Sequence, residues 1–183
     1  MRSVAYAILI GLIGAAMLHI VLVLGLPRFS AEDAYSRVLG LFEMDSFFRL
    51  TRAPGTTGLS DDDPFLRVAV CGFSVAGGPV RFSAGGDVPF WSFAVYDSTS
   101  NEVFSMNDAT AVQRKLDVIA ATPRQLTELR KLPSDALGAA ILVEMRDPEG
   151  YAVVRAMAPT QSFEESARDF LAKASCETFR AEN

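Results

Sequence analysis

The sequence predicts an α+β fold: one mainly antiparallel β-sheet or sandwich domain with a few flanking helices, preceded by one N-terminal transmembrane helix. Three observations carry this. The longest apolar run sits at the N-terminus, short aromatic and β-branched runs then follow one another between Gly, Asn and Asp turns, and capped helical patterns interrupt those runs at three places.

The first element is the apolar run from Val4 to Leu26, 23 residues of which 19 are apolar, with no Asp, Glu, Lys or Arg. As a helix it is roughly 35 Å long, enough to cross a hydrocarbon core of about 30 Å. The alternative is a cleaved signal peptide, whose apolar region is usually ~7–15 residues long and ends at a small-x-small site. This run is longer and ends in Leu24-Gly25-Leu26-Pro27-Arg28, without that pattern, so an uncleaved signal anchor over residues 1–27 is expected. Only Arg2 and the amino terminus precede the span, while Arg28 and Arg37 follow it. The short head and long folded tail favour a cytoplasmic N-terminus. Residues 28–183 are then a single extracytoplasmic domain, in the periplasm, on the outer side of the inner (plasma) membrane. His19, the only histidine, lies inside the span. An intramembrane ionisable residue is a functional candidate, and the plainer reading is a neutral imidazole facing a helix partner or the outer interface. Gly11, Gly14 and Ala15 form a small-residue face whose spacing departs from GxxxG.

Beyond Pro27, 156 residues carry 16 basic and 22 acidic side chains, a net charge of -6, and 71 of them, 46%, are apolar. That is an ordinary globular composition at a length that supports one core without metal or multiple disulfides. Disorder, collagen, coiled coil and a multi-span membrane protein are excluded. An acidic domain without a basic stripe also speaks against nucleic acid as a partner.

The elements of this domain follow in order. Ser30 with Asp33 opens a helix to about Phe42, with Ala34, Tyr35, Val38 and Leu39 on one face. The stretch from Arg52 to Pro64 is a loop by composition. Strands are expected over Leu66–Phe73, turning at Gly77-Gly78 into Pro79–Ser83, then over Phe90–Tyr96, Glu102–Met106 and Leu116–Ala121. Thr122-Pro123-Arg124-Gln125 is an N-cap, a proline at the first helical position and a Gln at the third, opening a helix to Leu132. Ala139–Arg146 and Tyr151–Met157, joined at Asp147-Pro148-Glu149-Gly150, form a hairpin. Ser162 with Glu165 caps the last helix, in which Phe163, Ala167, Phe170, Leu171 and Ala174 share a face.

Cys71 lies in a strand and Cys176 follows the C-terminal helix. They are too far apart for CxxC redox or zinc spacing, and no histidine remains outside the membrane to complete a metal site. In an exported domain two cysteines suit one disulfide joining the C-terminal helix to the sheet; two unrelated buried thiols are the alternative.

The most distinctive stretch runs from Phe90 to Asp108. Alternation puts Trp91, Phe93 and Val95 on one face and Phe90, Ser92, Ala94 and Tyr96 on the other, both largely apolar, as in a strand covered on each side. Trp91 is the only tryptophan. Its plainer role is a core aromatic whose indole N–H reaches a backbone carbonyl. Asp97 and Asn101 suit a hairpin turn held by side-chain to backbone bonds. Trp91, Tyr96, Asn107 and Asp108 are the candidate ligand pocket. The run Asp61-Asp62-Asp63 lacks the EF-hand pattern, so a solvated acidic loop is expected rather than a calcium site.

The Arg-Val-Ala-Val-Cys segment ending at Cys71, the Phe-Trp-Ser-Phe-Ala-Val-Tyr-Asp strand ending at Asp97, and the strand ending in Asn107-Asp108 resemble the family catalogued as domain of unknown function 1254. The likeness is to its short membrane-anchored proteobacterial members, and it extends over most of the chain, through Pro27-Arg28, Ala120-Ala-Thr-Pro123 and the C-terminal hairpin. The second module, domain of unknown function 1214, is absent here. In the short anchored forms it is a separate companion protein, so the resemblance implies such a partner in the cell envelope. It transfers no activity and no catalytic residues.

An enzyme would need a nucleophile, a base or a bound metal. Outside the span there is no histidine for a Ser-His or Cys-His arrangement. Gly77-Gly78 and Gly85-Gly86 lie between strands, where turn duty is the plainer reading than phosphate binding. The expected function is therefore a non-catalytic binding or interaction module of the envelope, with no cofactor or metal. The alternative is a carboxylate-dependent periplasmic enzyme acting on a glycan or lipid.

Overall fold

The structure is a computed structural model that describes residues 2–29, 34–40, 44–51, 58, 59, 61 and 63–180. It divides into two compact units, residues 1–33 and 34–183. The first contains one helix, α1 (Arg2–Phe29), whose segment Arg2–Gly25 has a mean hydropathy of 2.7 and is long and apolar enough to cross a membrane.

The second unit has the α+β architecture expected. Its elements are α2 (Ala34–Leu39), β1 (Phe48–Arg49), β2 (Leu66–Ser74), β3 (Val80–Ala84), β4 (Trp91–Asp97), β5 (Glu102–Asn107), β6 (Leu116–Ala121), α3 (Pro123–Leu129), α4 (Ser134–Leu137), β7 (Ile141–Glu144), β8 (Glu149–Met157), α5 (Glu164–Ala172) and β9 (Ser175–Thr178). Among the described residues these strands form two sheets, one in the order β1-β2-β8-β4-β5 and the other β7-β6-β3-β9. All pairings are antiparallel except β6 with β7, a parallel pair linked through α3 and α4.

Period-2 alternation explains the packing. Ala69, Cys71 and Phe73 of β2, Trp91, Phe93 and Val95 of β4, and Ala152, Val154 and Ala156 of β8 face inward. They meet Phe82 of β3, Val118 of β6 and Cys176 of β9 in one core between the sheets, which Phe170 and Leu171 of α5 join. The outer faces are covered as well. Tyr35 and Val38 of α2 pack on Val70, Tyr151 and Val153, and Leu126 and Leu129 of α3 pack on Ile119 and Ala121. This is why the strands read as apolar on both faces.

Thr122 and Gln125 form the expected capping box: the Thr122 hydroxyl accepts from the Gln125 N–H, and the Gln125 side chain accepts from the Thr122 N–H. Other expectations are corrected. The turn at Gly77-Gly78 does not close a hairpin; it carries the chain from one sheet to the other. Ala139–Arg146 and Tyr151–Met157 are not a hairpin either. The fully buried Met145 passes between the layers, its N–H bonded to the Ala121 carbonyl, so β7 extends one sheet and β8 the other. Ser162 caps no helix: a 3₁₀ turn (Gln161–Phe163) precedes α5, Phe163 is the N-cap, and its ring is exposed rather than on the packed face. Ser30, Asp33 and Phe42 lie outside the described residues.

Candidate functional site

The β4–β5 hairpin does not gather Trp91, Tyr96, Asn107 and Asp108 into one pocket. Ser92 pairs with Asn107, which puts Asn107 and Asp108 at the Trp91 end, whereas Tyr96 pairs with Glu102 at the other end. Alternation also sends Trp91 into the core and Tyr96 to the outer face, where it stacks on Tyr151 at 4.9 Å. Trp91 is 1% exposed, stacks on Phe170, and donates its indole N–H to the Arg114 carbonyl at 3.1 Å. Asp108 binds the Arg114 guanidinium at 2.7 Å. Together these contacts hold Gln113 and Arg114 in left-handed backbone conformations, with φ of 53° and 56°. Asn107 closes its own turn by accepting from the N–H groups of Ala109 and Thr110.

Asp97 is wholly occupied by its turn. One carboxylate oxygen accepts from the Thr99 N–H, the Thr99 hydroxyl and the Asn101 N–H, and the other from the Asn101 side-chain amide, at 2.8–2.9 Å. Burial pushes its pKa up, but the bonds from Asn101 and Thr99 outweigh that and hold it below the ordinary 3.8. Cys71 and Cys176 are joined as a disulfide. Cys176 belongs to β9, so the bridge links sheet to sheet rather than helix to sheet. His19 lies within α1, in a span without Asp, Glu, Lys or Arg.

Composition placed Asp61, Asp62 and Asp63 together in a solvated loop. Asp61 is instead 4% exposed, Asp63 accepts the Phe65 N–H at 2.7 Å, and Asp62 lies outside the described residues. Among the described residues no three His, Cys, Asp or Glu side chains converge as a metal ion would need.

Asp61 belongs to a cleft that sequence reasoning missed. A concavity of about 770 Å³ is bounded by residues 46–51 around β1, the start of β2, and α5. At its floor Arg67 of β2 is bound by both carboxylate oxygens of Glu164, the Nε contact being 2.9 Å, and lies 3.7 Å from Asp61. The Glu164 hydrogen bond outweighs burial and raises the Arg67 pKa above its ordinary value, with the charges of Glu164, Asp61 and Asp63 acting in the same direction. Arg49 and Arg168 also line the cleft, and Phe47, Leu50 and Leu171 supply apolar wall. The volume suits a drug-sized ligand. The sequence signal was weak: Arg67 stands at an inward-facing position of an apolar strand, 97 residues from the Glu164 that neutralises it.

No family model and no curated protein matches this chain. Its fold is similar to two crystal structures. One is the VPA0106 protein from Vibrio parahaemolyticus, with a TM-score of 0.58 and 12% identity over 79% of this chain and 33% of that one. The other is an uncharacterized protein from Burkholderia cenocepacia, with a TM-score of 0.50 and 13% identity over 81% of this chain and 40% of that one. The chain thus corresponds to between a third and two-fifths of those proteins, and the likeness is one of fold.

Proposed function

We propose that this protein is a single-pass membrane protein whose domain lies on the outer side of the inner membrane and binds an envelope component or a companion protein without catalysing a reaction. The observation that carries it is the buried Cys71–Cys176 bridge between the two sheets, in a chain that also holds a helix able to span a membrane. Disulfides persist in oxidising compartments and are rare in the cytosol. The cleft supports binding rather than catalysis, because Arg67 ties up as ion partners the two carboxylates among its described residues, Asp61 and Glu164. The resemblance to the domain of unknown function 1254 family supports the same reading and nominates a domain of unknown function 1214 protein as the companion.

Orientation and redox state test this together. Protease added to spheroplasts expressing the full chain with a C-terminal tag should remove the tag, and alkylation under denaturing, non-reducing conditions should find no free thiol. A tag protected until the membrane is lysed, with both thiols alkylated, overturns the reading.

A further inference from the structure

Among the described residues the charges of the cleft do not cancel locally, and this deepens the binding reading, on which the inference rests. Arg67 is saturated: besides Glu164, its Nη1 donates to the Leu66 carbonyl at 2.6 Å. Glu164 stands four residues before Arg168 on α5, the spacing of a helical ion pair, yet its carboxylate is turned to Arg67. Neither Arg168 nor Arg49, on the opposite wall, makes an ion pair or donates a hydrogen bond among the described residues. Among the described residues the cleft therefore holds three guanidiniums, Arg49, Arg67 and Arg168, against two carboxylates, Asp61 and Glu164, within a domain whose net charge is -6.

We infer that this cleft binds an anionic group, a phosphate or carboxylate, between Arg49 and Arg168. Guanidiniums match both groups in planar, charge-assisted geometry. The ion pair on the floor serves a different end: it fixes α5 against β2, so that Arg168 is held at the rim. The apolar wall of Phe47, Leu50 and Leu171 lies beside the anion position and suits the body of an amphiphile, a free anion being the other source of the same chemistry.

The test uses the full chain in phosphatidylcholine nanodiscs, titrated with hexyl phosphate, hexanol and inorganic phosphate while the unfolding midpoint is followed. Hexyl phosphate should raise the midpoint saturably and hexanol should not. Arg49→Gln/Arg168→Gln should weaken the apparent Kd by about tenfold or more, with the unliganded midpoint unchanged. Arg124→Gln/Arg146→Gln, which removes the same charge elsewhere, should retain the response. An equal response to inorganic phosphate supports the anion site and identifies a free anion as its source. No saturable response, or the same loss in both double variants, overturns the inference. The titration is independent of topology: a cytoplasmic domain would defeat the envelope reading while leaving these affinities as they are.

Discussion

Cys71 and Cys176 face each other across the core from opposite sheets, with Cα atoms 6.7 Å apart and a separation of 105 positions in sequence. Each is 1% exposed. The bridge ties β9, an edge strand that pairs only with β3 among the described strands, to β2, an interior strand of the other sheet. In the loop-entropy model, closing a loop of this length stabilises by about 4.7 kcal/mol. Cys71→Ala/Cys176→Ala should lose most of that in urea unfolding of the full chain in neutral detergent. Dithiothreitol should leave the native bridge intact and reduce it only at urea concentrations that open the sandwich. Rapid reduction without urea would show that the bridge is accessible.

What could be read from the sequence, and what could not, divides along the range of the forces involved. Most local signals were reliable: the Thr122–Gln125 box, the Asp97–Asn101 turn and the alternation of β4 each depend on residues within a few positions, the Ser162–Glu165 cap being the exception because a 3₁₀ turn takes its place. The assignment of strands to sheets was not legible, because β2 and β3, or β7 and β8, alternate in the same way whether they pair with each other or face each other across a core. Strand β9 is four residues long and carries Ser, Glu and Thr around one buried cysteine, too short for a period to show. The cleft depends on Arg67 meeting Glu164 across 97 positions, and an arginine next to a leucine in a β-run gives no sign of its distant partner.

Gly150, the second residue of β8, stands where the chain has no room for a side chain. It pairs with Phe73 on one side and Asp97 on the other, and an added Cβ would overlap the Tyr96 carbonyl oxygen and press on Met145 and Phe73. A backbone carbonyl in a ladder cannot swing away as a side chain can. Gly150→Ala should therefore destabilise the domain by at least the ~1–3 kcal/mol usual for overpacking, with a lower yield of folded protein as a second sign. Gly77→Ala meets nothing within 4 Å and should leave the thermal midpoint unchanged.

Gln125 does more than complete a cap. While its side-chain oxygen accepts from the Thr122 N–H, its amide nitrogen donates to the Val75 carbonyl at 2.7 Å, pinning the start of α3 to the link between β2 and β3. Thr122→Ala should cost about 1 kcal/mol, the usual loss for a cap residue. Gln125→Glu keeps the acceptor and deletes the donor, so it should cost more than Thr122→Ala by leaving the Val75 carbonyl without its side-chain donor. Equal urea midpoints for Gln125→Glu and the unmodified chain would show that the bond to Val75 contributes nothing.

The Asp97 turn gives the domain a defined sensitivity to acid. Because the pKa of Asp97 is lower in the folded chain than its ordinary 3.8, folding favours the ionised form. That stabilisation is fully present above the unfolded value and is lost as the pH falls through the lower folded one. Asp97→Asn keeps the shape of the side chain but removes its charge, so the turn loses its charge-assisted acceptors at every pH. The stability difference between the two proteins should be constant from about pH 7 to pH 5 and should shrink below about pH 4 as Asp97 in the unmodified chain becomes protonated. Urea midpoints measured across that range check the sign directly. A difference that persists unchanged to about pH 2, or grows on acidification, would mean that the four bonds to Asp97 owe nothing to its charge.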